Sequence, residues 1–135
     1  MRLLDMLSAL AETLVTDLDA DACAVSRTIG DVLVLVAEHV PGGGTLQLGQ
    51  GYLVPDFPQT ADVLTSGVAR TLTLDDPHVD EGEARILRAL GFRALLMARL
   101  ELRGAAWGLV EVYRAESQPF GDDDVRRATE LSRID

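Results

Sequence analysis

The feature that most constrains this sequence is a pair of apolar segments joined by a tight turn, within the stretch 91–126. The dipeptide Arg103-Gly104 separates the two segments, and a glycine at that place favours a two-residue turn between antiparallel strands. The pairs predicted from such a turn are Leu102 with Ala105, Leu100 with Trp107, and Ala98 with Leu109. This hairpin predicts the centre of a sheet, and the rest of the chain must supply its neighbours.

Both faces of the predicted hairpin are apolar. One face holds Leu96, Ala98, Leu100, Trp107 and Leu109, and the other holds Leu95, Met97, Val110 and Val112. The earlier segment Val32–Val36 is also apolar on both sides, as expected for a strand that other layers cover on each face. We therefore predict a sheet with helices on both faces.

Arg99 and Glu111 are the two charges inside these otherwise apolar strands. In the predicted register they point to opposite faces, and a one-residue change in turn length would alter this relation. A charge in a central strand must be paired, bound to a ligand or near the strand end, because burying it alone is costly. Arg99 is therefore a candidate for ligand contact and Glu111 a weaker one, with ion pairing or partial exposure as the alternative.

The composition predicts one globular domain and excludes several functions. The chain has 135 residues, 47% of them hydrophobic, and a net charge of -10. A chain of this size buries enough surface for one core, and its apolar runs are far shorter than the ~20 residues of a membrane span. The negative charge opposes binding to nucleic acid, which depends on Lys and Arg. The absence of Lys and Asn excludes Schiff-base chemistry and a P-loop lysine.

Cys23 is the only cysteine, which excludes an intrachain disulfide and a multi-cysteine zinc site. Asp5 and Glu12 interrupt the apolar residues of the N-terminal segment, a pattern that does not fit a secretory signal. We expect a cytoplasmic protein without membrane insertion.

Helix and turn signals divide the remaining sequence. Leucines at three- and four-residue spacing predict an amphipathic helix over Leu3–Leu18, whose apolar stripe is wide enough to contact a partner chain as well. The other expected elements are strands at Cys23–Arg27, Asp31–His39 and Val68–Leu74, and helices at Pro58–Ser66 and Asp80–Leu90. Asp80 and Glu83 have the spacing of a capping pair, and Gly67 and Gly91 suit the positions just past helix ends.

The acidic run Asp122–Asp124 is interpreted as the start of a last helix and not as a metal site. The helix dipole favours negative charge in a first turn, whereas a cation-binding loop alternates its ligands. The helix is predicted to continue to Ile134. No termination signal follows, so we expect a longer helix or a downstream output domain after Asp135.

The pattern of elements closely resembles the GAF domain family. The resemblance rests on Trp107-Gly108-Leu109-Val110 in the hairpin, on Phe120 before the acidic helix start, on Gln50-Gly51-Tyr52-Leu53 and on Thr65-Ser66-Gly67. It covers nearly the whole chain and implies a single α+β (α/β) domain, residues 1–135. It also implies an antiparallel sheet of about five to six strands. Terminal helices at about 2–18 and 121–135 would cover one face, and short helices and loops would cover a pocket on the other.

The resemblance further implies a bacterial sensory domain that binds a small molecule, dimerises through its terminal helices, or does both. The candidate dimer residues are Leu3, Leu7, Leu10, Leu14, Val125 and Leu131. The candidate ligand contacts are Tyr52, Asp56, Phe57, Thr60, Met97 and Arg99. Two alternatives stay open: a dimerisation module whose pocket is filled by its own side chains, and an enzyme resembling the free methionine sulfoxide reductases.

Departures from the family limit these implications. The Asn-Lys-Phe-Asp-Glu signature of cyclic-nucleotide-binding members requires residues that this chain lacks. Bilin-binding relatives attach their pigment through a cysteine near the pocket, whereas Cys23 lies in the first strand, where a small buried thiol is expected. His78 is the better placed haem-ligand candidate, with a solvent-facing loop histidine as the favoured interpretation. A lone cysteine has no intrachain partner to resolve its oxidised form. The residues indicate a non-catalytic regulatory domain and identify neither a cofactor nor a metal.

Overall fold

The computed structural model describes residues 2–46 and 48–135. The helices are α1 (Leu3–Asp17), α2 (Pro58–Ser66), α3 (Glu81–Leu90) and α4 (Asp122–Leu131), with a single turn of 3-10 helix at Val54–Asp56. The strands are β1 (Ala22–Ile29), β2 (Val32–His39), β3 (Gly51–Leu53), β4 (Arg70–Thr73), β5 (Ala94–Leu102), β6 (Ala105–Arg114) and β7 (Arg133–Ile134). Within this part of the chain, no helix is long and apolar enough to cross a membrane.

The strands form one sheet in the order β3-β2-β1-β6-β5-β4, in which all neighbours are antiparallel. Helices α1 and α4 pack on one face, where Leu7 and Leu14 meet Val110 and Val112 in one buried cluster. Helices α2 and α3 pack on the other face, where Val63 and Leu87 belong to a second buried cluster. The predicted fold class, with helices on both faces of an antiparallel sheet, is confirmed.

Local signals correctly locate the ends of α2 and α3. Gly67 follows α2 with φ +74°, and Gly91 follows α3 with φ +84°, so each glycine occupies the left-handed region that ends a helix. At the start of α3, the Asp80 side chain accepts a hydrogen bond from the Glu83 N–H at 3.1 Å. Glu83 does not return the contact as a capping pair would, because its side chain turns towards α2.

The last helix is shorter than predicted. It ends at Leu131, and Arg133–Ile134 form β7, which runs parallel to the end of β5. The backbone N–H of Glu101 donates to the Ser132 carbonyl at 2.9 Å, and that of Arg103 donates to the Ile134 carbonyl at 2.7 Å. The end of β5 extends beyond β4, so these N–H groups need other partners, and β7 supplies them.

The hairpin of β5 and β6 has the predicted turn but not the predicted register. Leu102 pairs with Ala105, as expected, whereas Leu100 pairs with Gly108 instead of Trp107. Trp107 is an extra residue in β6 and forms a β-bulge. From this point to the end of β6, every residue is displaced by one position relative to the prediction.

The bulge exchanges the faces of the following side chains. Val110 and Val112 pack on the α1 and α4 side, and Leu109 packs on the α2 and α3 side, which corrects the predicted arrangement. Ala98 pairs with Val110 and not with Leu109. Trp107 shares a face with Leu96, Ala98 and Leu100, as expected, and this face is the one that packs against α1 and α4.

The candidate dimer residues differ in their accessibility. Leu7, Leu10 and Leu14 are at most 8% exposed, so they cannot present their side chains to a second chain in this structure. Leu3 is 40% exposed, and Val125 and Leu131 are partly buried against the core. Dimerisation and its candidate residues stay predictions, and among these residues Leu3 is the one that this structure leaves exposed.

Candidate functional site

A cavity lies between the sheet and the layer formed by α2 and α3. It is lined by Ala24, Ser26, Leu33, Leu35, Leu46, Tyr52, Phe57, Thr60, Glu83, Ile86, Leu90, Glu111 and Tyr113. Its empty space is about 500 Å³, a volume that includes the opening to solvent. Apolar walls with a few convergent polar groups are the usual composition of a small-molecule site.

Glu111 lies on the floor of the cavity, in the middle of the sheet. Its neighbours across the strands are Ala24 in β1 and Met97 in β5. The Tyr113 hydroxyl donates a hydrogen bond to Glu111 Oε2 at 3.1 Å. Burial, followed by the nearby negative charge of Glu83, raises the pKa of Glu111 to about 7, although the Tyr113 hydrogen bond acts in the opposite direction.

Glu83 reaches the cavity from α3 and is only 5% exposed. Its Oε1 accepts hydrogen bonds from the backbone N–H of Thr60, at 3.1 Å, and from the Thr60 hydroxyl. Burial raises the pKa of Glu83 more than these hydrogen bonds lower it. This carboxylate joins α3 to α2 above the sheet and adds a second acidic group to the cavity.

No described lining residue carries a positive charge. The remaining polar side chains are hydroxyls from Ser26, Tyr52, Thr60 and Tyr113. Burial and the charge of Glu111 raise the pKa values of both tyrosines, which keeps the phenols neutral. The cavity therefore suits a ligand that donates hydrogen bonds or carries positive charge.

Three of the six predicted ligand residues line this cavity. They are Tyr52, Phe57 and Thr60. The rings of Tyr52 and Phe57 meet edge to face with their centroids 6.1 Å apart, so the two aromatic residues form one wall. As ligand contacts they stay predictions.

The other three predicted ligand residues do not line the cavity. Asp56 is exposed on the surface. Met97 is completely buried beneath Thr60, with its sulfur 3.4 Å from the Thr60 hydroxyl oxygen. Arg99 lies nearby on the same sheet face, but its side chain contacts the end of α2 and Glu101 instead of the cavity.

Arg99 satisfies the C-terminal end of α2. Its Nη1 donates to the carbonyls of Leu64 at 3.2 Å and Thr65 at 3.4 Å. Its Nη2 lies 3.3 Å from a Glu101 carboxylate oxygen. The ion-pair interpretation of this charge is confirmed, and the guanidinium also caps helix carbonyls that would otherwise lack partners.

Glu83 is a lining residue that the sequence patterns did not identify as a ligand contact, and Glu111 was only the weaker candidate of the two strand charges. The spacing of Asp80 and Glu83 indicated a helix cap, so the Glu83 side chain was not expected to line the cavity. The predicted register lacked the bulge at Trp107 and therefore placed Glu111 on the face opposite to Arg99. In the structure both charges lie on the same face of the sheet. The available signal was a charge within an apolar strand, and that signal does not distinguish the two faces.

The family of this chain follows from its sequence and is consistent with this geometry. Residues 2–134 match the family model of the GAF domain. This chain belongs to the GAF domain family. A search among curated proteins finds no matching sequence.

Solved GAF structures share the fold at low sequence identity. The blue-light-absorbing PixJ GAF domain of Thermosynechococcus elongatus has a TM-score of 0.81 and 21% identity over 96% of this chain and 79% of its own. A phycocyanobilin-bound GAF domain from a cyanobacterial phytochrome has a TM-score of 0.79 and 18% identity, over 98% of this chain and 82% of its own. The chromophore-binding domain of the Stigmatella aurantiaca bacteriophytochrome has a TM-score of 0.76 and 20% identity. This chain covers 52% of that larger domain, which in turn matches 97% of this chain.

Cys23 of this GAF domain faces away from the cavity. It is 0% exposed and packs in the cluster beneath α1 and α4, whereas its neighbours Ala24 and Ser26 line the cavity. Burial, followed by the charge of Glu111, raises the pKa of the thiol far above its usual range. The position cannot supply a covalent link to a ligand in the cavity.

The acidic run and His78 adopt the arrangements favoured from the sequence. Asp122–Asp124 form the first turn of α4, and the Asp124 carboxylate accepts a hydrogen bond from the Gly121 N–H at 2.9 Å. Residues 2–46 and 48–135 contain no group of three or more His, Cys, Asp and Glu side chains that could hold a metal ion. His78 is exposed in the loop before α3.

Proposed function

We propose that this GAF domain is a non-catalytic sensory or regulatory module that binds a small molecule in the cavity between the sheet and α2 and α3. The observation that carries the proposal is the presence of two acidic groups, Glu83 and Glu111, in a cavity without a described cationic lining residue. Glu83 is buried and Glu111 half-buried, and an acid removed from water without an ion-pair partner is costly to the fold. Groups that are unfavourable for folding are expected mainly where they form a functional site.

The solved neighbours support small-molecule binding as the class of function. One of them is a GAF domain bound to phycocyanobilin, and another is the chromophore-binding domain of a bacteriophytochrome. A pigment linked through Cys23 is not proposed for this chain, because that thiol lies on the opposite face of the sheet. We expect reversible, non-covalent binding in a bacterial cytoplasmic signalling protein.

The sheet provides a route from the cavity to the terminal helices. Glu111 faces the cavity, and the next residue in β6, Val112, packs in the cluster that contains Leu7 and Leu14 of α1. A shift of this strand on ligand binding would reach α1 directly. The exposed pair Leu3 and Leu4, at 40% and 56%, supports dimerisation through the start of α1 as the alternative function.

The test is a thermal-shift screen with a metabolite library that contains cations, anions and neutral compounds. Wild type is compared with Ala24→Phe and Ser26→Met, which place larger side chains in the cavity, and with Ala89→Phe on the exposed surface of α3. We expect some compounds to raise the Tm of wild type and Ala89→Phe but not of the filled variants. Equal shifts in all four proteins, or no shift in any, would contradict binding in the cavity.

A further inference from the structure

The charge of the cavity indicates the chemistry of its ligand, provided that the cavity is the binding site proposed above. We propose that the ligand is a small organic cation with an apolar body, bound through an ammonium, amidinium or guanidinium group to Glu111.

Glu111 retains acceptor capacity for a ligand. Its Oε2 accepts one hydrogen bond, from Tyr113, and no described residue donates to its Oε1. The strands on both sides contribute Ala24 and Met97, neither of which carries a charge. A carboxylate in this position can accept the paired N–H groups of a planar cation, the strongest hydrogen-bonded arrangement of a carboxylate.

Glu83 makes the environment more negative without neutralising Glu111. Both of its hydrogen bonds, from the N–H and the hydroxyl of Thr60, go to Oε1, and no described residue donates to Oε2. The negative charges of Glu83 and Glu111 oppose each other, as the raised pKa of Glu111 reflects. A bound cation relieves this repulsion, an anion increases it, and a neutral ligand leaves it in place.

The rest of the cavity fits an apolar body attached to that cation. Its aliphatic lining consists of Ala24, Leu33, Leu35, Leu46, Ile86 and Leu90. The edge-to-face pair Tyr52 and Phe57 adds an aromatic wall, which can contact either an apolar ring or a cation. Small inorganic cations would leave these walls without contacts, so an organic cation uses the whole cavity.

Three probes of similar shape separate charge from size: benzamidine, benzamide and benzoate. Titration calorimetry at pH 8 should give benzamidine an affinity about tenfold or more above that of benzamide, the usual scale for a hydrogen-bonded charge, with benzoate weakest. Glu111→Gln keeps the size of the side chain and should remove most of this preference. Glu130→Gln, on the exposed side of α4, is the matched control and should retain it.

The outcomes distinguish this inference from the function on which it rests. Preferential binding of benzamide or benzoate overturns the cation assignment, as does an unchanged preference in Glu111→Gln. If only neutral or anionic library compounds shift the wild type relative to Ala24→Phe, the sensory function stands and the cation assignment fails. If no compound of any charge does so, both fail.

Discussion

The backbone of Gly108 in β6 lies so close to Ser26 in β1 that a Cβ at residue 108 would be 1.9 Å from the Ser26 carbonyl oxygen. Only glycine avoids this collision. Gly108 directly follows the bulge residue Trp107 and pairs with Leu100 in β5. The close approach therefore holds the bulge in place, and the bulge determines that Glu111 faces the cavity.

Replacing Gly108 with Ala should strongly destabilise the domain. The added methyl group must separate β6 from β1 at the centre of the sheet, and we expect a loss of roughly 3 kcal/mol or more in the free energy of unfolding. Urea denaturation measures this loss. Gly42→Ala is the control, since a Cβ there meets nothing within 4 Å, and it should stay within about 0.5 kcal/mol of wild type. A Gly108→Ala protein as stable as the control would contradict the close approach.

Local sequence signals were sufficient to locate α1, α2 and α3. Pro58 begins α2, and Gly67 and Gly91 end α2 and α3, because helix ends depend on residues adjacent in sequence. The leucine spacing likewise identified α1 from its start at Leu3. The end of α4 was missed, since β7 forms through pairing with β5, a contact that no local pattern in the last residues records.

The candidate site could not be predicted from local signals, because it depends on strand register and on contacts between residues far apart in the sequence. A single bulge residue, Trp107, reverses the face of Glu111, and the strand pattern is apolar with either assignment. The partner of Glu83 is Thr60, which lies 23 residues earlier on another helix. Tyr52 and Phe57 were easier to identify, because they lie in β3 and directly before α2, and their positions do not depend on the bulge in β6.

The charge of Glu111 should make stability depend on pH. Its folded-state pKa, about 7, lies above the ordinary value of 4.5, so the folded protein holds this proton more tightly than the unfolded chain. This contribution to the free energy of unfolding is present below pH 4.5 and is lost as pH rises through 7. Glu111→Gln has no proton to lose. Relative to wild type, it should therefore gain about 2 kcal/mol between pH 5 and pH 8.

Urea denaturation of wild type and Glu111→Gln at both pH values tests this linkage. Glu83 and the other titrating groups are common to the two proteins, so the difference between the pair isolates residue 111. Glu130 is exposed, so the free energy of unfolding of Glu130→Gln should differ from that of wild type by nearly the same amount at pH 5 and at pH 8. A gain for Glu111→Gln that is the same at pH 5 and pH 8 would contradict the raised pKa.

Arg114 joins three parts of the chain and should be important for stability. It is 7% exposed, donates to the carbonyls of Leu18, Gln118 and Pro119, and lies 4.0 Å from the centre of the Phe120 ring. Arg114→Gln leaves these carbonyls, of which the Leu18 carbonyl is buried, without their donor, at an expected cost of about 3 kcal/mol. The Tm should fall accordingly, whereas the exposed Arg126→Gln should change it little. Comparable Tm values for the two variants would show that Arg114 does not hold the end of α1.

Cys23 should resist thiol reagents in the native protein. Its side chain is fully buried, and burial also disfavours the reactive thiolate. Labelling with Ellman's reagent should therefore follow the rate of unfolding and become fast in urea. The same inaccessibility predicts no covalent adduct with an added bilin, as judged by intact mass. Rapid labelling without denaturant would place Cys23 on an accessible surface and contradict its position beneath α1.

The affinity for benzamidine should rise with pH. The amidinium stays protonated between pH 6 and pH 8, whereas the Glu111 carboxyl, with a pKa of about 7, loses its proton over this range. Because the cation binds the ionised carboxylate, the affinity should increase about tenfold from pH 6 to pH 8. The titratable groups that face Glu111 are Glu83 on α3, Tyr52 on β3 and Tyr113 on β6 itself, while Cys23 acts from the opposite face of the sheet.

Calorimetry in two buffers of different ionisation enthalpy gives a second measure of this coupling. Binding at pH 7 should release protons from wild type, since the ligand stabilises the ionised form of Glu111. The raised pKa values of Tyr52 and Tyr113 keep both hydroxyls protonated throughout, so neither tyrosine accounts for the release. Glu111→Gln should bind more weakly, with an affinity that is nearly constant between pH 6 and pH 8. An affinity that falls as pH rises, or proton release that persists in Glu111→Gln, would assign the titration to a group other than Glu111.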